Sequence, residues 1–80
     1  MDDEKLLMHF GQKVRDFRKQ NGLTMQQLAE DLGISTNHLG RIERGTSNTT
    51  ITNFYRMATI LDIPSHLVDE MKQVVQKQEE

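Results

Sequence analysis

The apolar positions of the 80-residue chain recur at helical intervals along almost its whole length. Leu7, Phe10, Val14 and Phe17 follow at steps of three and four, which puts them on one face of a helix over about Asp3 to Gln20. Asn21-Gly22 ends that helix, because glycine takes the left-handed cap conformation at no steric cost. A second stripe, Leu28, Ala29 and Leu32, predicts a helix that starts at Thr24 and stops at Gly33; Thr24 and Gln27 have the spacing of a capping box. A third short helix follows Ser35 as N-cap, with Ile34 as a hydrophobic staple, Leu39 and Ile42 as inner stripe and Gly45 as its end. The polar run Thr46-Ser47-Asn48-Thr49 reads as a loop. Thr50 then caps a fourth helix with Ile51, Phe54, Ala58 and Leu61 facing inward. Pro64 separates it from a fifth helix, beginning near Ser65, with Leu67, Met71 and Val74 on one stripe and Val68 and Val75 beside it. Residues 77–80 are polar and read as a frayed tail. No segment alternates with the period of a strand, so the expected fold is all-α, one compact five-helix domain over 1–80.

The second and third helices are joined by only Gly33-Ile34-Ser35, too tight a turn for antiparallel packing. Two short helices joined steeply through a glycine make a helix-turn-helix. The second helix of such a unit can lie in the major groove of DNA and present its N-terminal residues to base edges. Its outward positions, between the buried Leu39 and Ile42, are Thr36, Asn37, Gly40 and Arg41, with His38 and Arg44 at the flanks.

Residues 10–61 resemble the Cro/phage-repressor (XRE-type) helix-turn-helix family. Gly11-Gln12-Lys13-Val14-Arg15-Asp16-Phe17-Arg18 is similar to its G-x-x-[IVL]-R-x-x-R, and Gly22-Leu23-Thr24 with Gln27-Leu28-Ala29 to its G-L-T-Q-x-x-L-A. Gly33-Ile34-Ser35 through Leu39-Gly40-Arg41-Ile42-Glu43-Arg44-Gly45 is similar to its G-V-S-x-x-x-I-S-x-I-E-x-G. The resemblance implies a small stand-alone transcriptional regulator that binds double-stranded operator DNA. It implies a buried ion pair between Arg18 and Glu43, joining the first helix to the recognition helix. It also implies a two-fold dimer on a palindromic site. Four positions depart from the pattern. Met25 replaces the family's usual phosphate-holding Gln and has no hydrogen-bond donor. Gly40 stands where relatives often carry a side chain; it offers no base contact but allows close approach to the groove. Thr49-Thr50 replaces Pro-Ser.

On this reading Arg41 pairs with guanine O6 and N7, Asn37 with adenine N6 and N7, and Thr36 touches a thymine methyl or a phosphate. Gln26, Ser35, His38, Arg44, Thr46, Ser47 and Asn48 contact the DNA backbone, which fixes register without reading sequence. The plainer alternative for each is a solvated polar residue, a helix cap or an ordinary loop. One recognition helix covers few base pairs, so the fifth helix over 62–76 is expected to build a dimer with the fourth. Phe54, Tyr55, Leu67, Val68, Met71 and Val75 are the expected interface residues.

Charge first argues against DNA, since the net formal charge is −2. Split along the chain, residues 1–10 carry −2, residues 11–48 carry +2 and residues 49–80 carry −2, so the segment resembling a DNA reader is the basic one. That weak excess lowers non-specific attraction and shifts discrimination to a few base contacts. No cysteine is present, which excludes disulfides and thiolate metal sites. His9, His38 and His66 share no i, i+4 face and no acid stands at zinc-ligand spacing with them, so neither a metal nor a cofactor is expected, and no enzyme activity. No long apolar run is present, and the expected location is cytoplasmic, without a membrane span. No small-molecule ligand is implied; a protein antagonist or polymerase contact fits a regulator this small. The rival reading is a helix-turn-helix fold used as a protein-interaction or antagonist module, which the net acidity and Met25 favour.

Overall fold

The computed structural model describes residues 3–79, with side chains through Gln76. Among the described residues there are five helices and no strand: α1 (Asp3–Gln20), α2 (Met25–Leu32), α3 (Thr36–Glu43), α4 (Ile51–Ile60) and α5 (His66–Glu79). Each of the middle three starts on a local device. Thr24 Oγ1 accepts from the Gln27 N–H at 3.1 Å while Gln27 Oε1 accepts from the Thr24 N–H at 2.9 Å, a complete capping box. Ser35 Oγ accepts from the His38 N–H at 3.0 Å and Thr50 Oγ1 from the Asn53 N–H at 3.1 Å. Gly33, at φ +70°, ends α2, with its own N–H bonded to the Glu30 carbonyl at 3.1 Å and that of Ile34 to the Ala29 carbonyl at 3.0 Å. This left-handed turn sends α3 off in a new direction within three residues.

The core is formed by Phe10 and Val14 of α1, Leu28, Ala29 and Leu32 of α2, Leu39 and Ile42 of α3, then Met57 of α4 with Leu61 just after it. α1 packs on α3 and α5, and α2 on α3 and α4. Where α1 crosses α3, Gly11 lets the backbones meet. A Cβ there would overlap the Ile42 carbonyl oxygen and lie 2.7 Å from that of Glu43. Phe10 stacks on Phe54 with ring centroids 5.6 Å apart, which ties α4 to α1.

Three expectations from the hydrophobic pattern need correction. Ile51 does not face the core: it is 68% exposed, and Met57 is fully buried in its place. The inward stripe of α4 and its cap is Phe54, Met57 and Leu61, whose steps of three and four keep them on one face. Leu67, expected at a dimer interface, is 1% exposed and belongs to the chain's own interior. The tail read as frayed over 77–80 is helical through Glu79, and Glu80 lies outside the described residues.

One polar cluster joins α5 to α1. The Glu70 carboxylate lies 3.5 Å from His9 Nε2, 3.5 Å from Lys13 Nζ and 3.7 Å from His66 Nε2. Desolvation against α1 works to raise the Glu70 pKa, but the Lys13 ammonium, with His9 and His66, outweighs it and holds the carboxyl below its usual range. Two of the histidines that share no helical face are thus brought together from different helices. Among the described residues no group of three His, Cys, Asp or Glu is placed to hold a metal ion. No described helix is long and apolar enough to cross a membrane.

Candidate nucleic-acid interface

Two side chains fix how α3 is held. Arg18 donates to Glu43 through Nε at 2.7 Å and Nη2 at 3.1 Å, and its Nη1 donates to the Leu23 carbonyl at 3.0 Å. Both residues are 8% exposed. One guanidinium therefore joins α1, the turn before α2 and the end of α3. With two forked hydrogen bonds and a backbone carbonyl, the buried charges are well satisfied. Leu39 and Ile42, both essentially inaccessible, press the opposite side of α3 into the core.

With that side fixed, the outer face of α3 is determined. Thr36, Asn37 and Arg41 are exposed, and with Ser35, Met25, Gly40 and Arg44 they line one open concave surface. The side-chain chemistry there is hydroxyl, amide and guanidinium, the donor and acceptor types that pair with base edges in a major groove. Ser35 Oγ is used as an acceptor in the cap, so its hydroxyl hydrogen is still available to donate. His38 is half-buried beside it.

The loop after α3 differs from the expectation of three ready donors. The Thr46 hydroxyl donates to the Arg41 carbonyl at 3.2 Å and the Ser47 hydroxyl to the Asn48 carbonyl at 3.3 Å, so both are engaged within the loop. Asn48 Oδ1 accepts from the Thr49 N–H at 2.8 Å, which leaves its amide nitrogen as the loop's available side-chain donor. Gln26 leans along α2, with Nε2 3.4 Å from Glu30 Oε1.

Gly40 lines the same open surface, as expected, but as its recessed floor. It is buried, with Met25 and Arg44 lying over it. Two of the departures from the family pattern, Met25 and Gly40, are therefore neighbours: the methionine covers the bare turn of α3. Sequence reasoning also missed Arg15, which lines a cleft with Met25, Gly40 and Arg44. Its signal was there, since Arg15 and Arg18 are three apart on α1 and share a side of that helix.

Apart from this face, Leu6, Phe54, Val68, Met71 and Val75 line an apolar groove between α1, α4 and α5. Val68 is 46% exposed and Tyr55 65%. Phe54, Met71 and Val75 are half-buried.

This geometry is that of a helix-turn-helix unit with an open recognition face. The helix-turn-helix family model HTH_3 matches residues 14–67. The chain belongs to this helix-turn-helix family, of the Cro/phage-repressor type. The matched span takes in Leu67, in keeping with its place in the core. Among solved structures, the chain is similar to the restriction-modification controller protein C.AhdI from Aeromonas hydrophila, at 38% identity and a TM-score of 0.67, over 72% of this chain and 88% of that one. It is also similar to the master regulator for biofilm formation SinR, solved in complex with DNA, at 31% identity and a TM-score of 0.63, over 71% and 92% of the two chains. SinR of Bacillus subtilis (strain 168), compared by sequence, is 34% identical over 62 residues, 75% of this chain and 56% of SinR. The chain spans 34% to 56% of the length of the first curated relatives it matches. These relatives are transcriptional regulators rather than enzymes.

Proposed function

We propose that this protein is a sequence-specific double-stranded DNA-binding transcriptional regulator, acting as a dimer on a palindromic operator. The observation that carries the reading is the outer face of α3. Thr36, Asn37 and Arg41 stand exposed and side by side, on a helix held rigid from behind by the buried Arg18–Glu43 pair. Arg41 and Asn37 are the base readers, and Thr36 meets a thymine methyl or a phosphate. Ser35, His38, Arg44 and Asn48 contact the backbone. Gln26 and the first backbone N–H groups of α2 add to them, since a helix N-terminus attracts phosphate. Thr46 and Ser47 join only by exchanging their loop hydrogen bonds for phosphate.

The dimer follows from reach. α3 has 8 residues, about 12 Å of helix at about 1.5 Å per residue, which spans about a third of a duplex turn. A second copy, seated on the apolar groove of α4 and α5, doubles the contacts and sets two recognition helices about 34 Å apart. Such a regulator acts by occluding or recruiting polymerase at a promoter, in the cytoplasm where the DNA is. Similarity to the antitoxin HipB of Escherichia coli (strain K12), 35% identical over 52 residues, supports a protein partner as an added layer of control.

Selection of bound duplexes from a random pool, repeated with Arg41→Ala, tests the reading. The wild type is expected to yield a symmetric motif. The variant is expected to lose preference at one symmetric pair of positions, worth about 1–3 kcal/mol of discrimination. An unchanged motif removes Arg41 from the site.

A further inference from the structure

Gly40 lies in mid-helix, where alanine would be the more stable choice. Its backbone is not in the left-handed region, so conformation does not demand a glycine there. What the glycine leaves is space. A Cβ at position 40 would lie 3.1 Å from Arg44 Nη1 and 3.2 Å from Met25 Cε. A long helical side chain leans back over the turn before it, so the bare patch at Gly40 is where the Arg44 guanidinium comes to lie. Met25 from α2 and Arg15 from α1 border the same cleft, with Arg18 and Glu43 behind, already neutralised by each other. Among the described residues, neither Arg15 nor Arg44 has a carboxylate within ion-pair distance.

We propose that Arg15 and Arg44 form a two-arginine seat for one DNA backbone phosphate, and that Gly40 is the positioning residue that lets Arg44 reach it. The proposal rests on the DNA-binding reading above. Two guanidinium groups without carboxylate partners border one cleft at the edge of the recognition face, and their planar forks match a phosphate. Arg15 comes from α1, outside the recognition helix, which points to the backbone rather than to a base. Met25 supplies an apolar wall and has no donor to compete for the anion. Gly40 thus trades helix stability for the position of a charge.

The test measures binding to a duplex carrying the selected site, over a series of salt concentrations, with thermal melts of each protein. Arg44→Ala and Arg15→Ala are each expected to weaken binding about tenfold. Each should reduce the steepness of log K against log salt by about 0.9, with base preference unchanged. Gly40→Ala is expected to melt higher, because the methyl meets only the ends of two flexible side chains. It should nevertheless lose the affinity and slope that Arg44→Ala loses, and add nothing in the Arg44→Ala background. An unchanged slope in Arg44→Ala, or a change of base preference at one position, overturns the phosphate seat. Gly40→Ala that folds and binds as the wild type does overturns the positioning role. The two arginine variants alter exposed positions, so they decide the seat even if Gly40→Ala fails to fold. A wild type without salt-dependent binding to any duplex removes the DNA-binding reading and the seat with it. A wild type that binds while the arginine variants match it removes the seat alone.

Discussion

Removing the Glu43 carboxylate would strand the Arg18 guanidinium in a site almost closed to water, 8% exposed and held on one side by the Leu23 carbonyl. The cost of an unpaired buried charge is about 3–5 kcal/mol. Glu30 has the same chemistry on the exposed side of α2, where its contact is a 3.4 Å approach from Gln26. Glu43→Ala is therefore expected to destabilise by about 3–5 kcal/mol and Glu30→Ala by less than about 0.5 kcal/mol, read as melting temperatures. Equal melting of the two variants would sink the structural role of the pair. The pair also bears on DNA indirectly, since it sets where α3 ends and how its outer face is turned. Gly11 acts in the same place: with any side chain there, α1 could not approach the carbonyls of Ile42 and Glu43.

At the scale of the element, the motif depends on where helices begin and stop. α2 has 8 residues, too few to be stable alone in water, so its ends count for more than its length. Thr24 and Gln27 satisfy each other's backbone N–H groups at the start, and Gly33 turns the chain at the finish. Thr24→Ala removes the acceptor for the Gln27 N–H at the end of α2 that lies beside the recognition face. The expected loss is about 1 kcal/mol, or about 4–8 °C in melting temperature for a domain of this size. Faster amide exchange at Gln27 should accompany it, and unchanged melting would show that the packing of Leu28 and Leu32 holds α2 without the cap. α5 is placed differently, by Leu67 in the core and by Glu70 among His9, Lys13 and His66. Its outer edge, Val68 and Val75, is left beside the groove.

For the whole molecule, the outer face of α3 and the apolar groove share no lining residue, so the proposed DNA contact and the proposed dimer do not compete for one surface. Val68→Asp places a charge on the lip of the groove without touching the core. It is expected to leave monomer melting nearly unchanged, within about 0.5 kcal/mol, while abolishing the dimer and weakening operator binding. Light scattering at micromolar concentration, free and on operator DNA, reads the result. A wild type that is monomeric in both settings refutes the dimer. The charge pattern acts at this scale too. The basic block is the one that carries α2 and α3, and the acidic blocks carry α4, α5 and the start of α1, so the positive charge is concentrated on the helix-turn-helix.

Periodicity, N-cap residues and the glycine turn are local signals carried by neighbouring residues, so the helices, their caps and the helix-turn-helix unit were legible in the sequence. The sequence also marked Thr36, Asn37 and Arg41 as outward positions, and all three are exposed, but it put the buried Gly40 in the same set on equal terms. Tertiary structure decided which of several apolar residues completes the core. Met57 displaced Ile51, and Leu67 left the interface set, because which apolar residues a small core encloses depends on how its helices cross. It decided that Gly40 lies beneath Met25 and Arg44, a contact between residues of two different helices that no spacing along the chain encodes. It also gathered His9, Lys13, His66 and Glu70 from two helices far apart in sequence, whose charges meet only once the chain is folded.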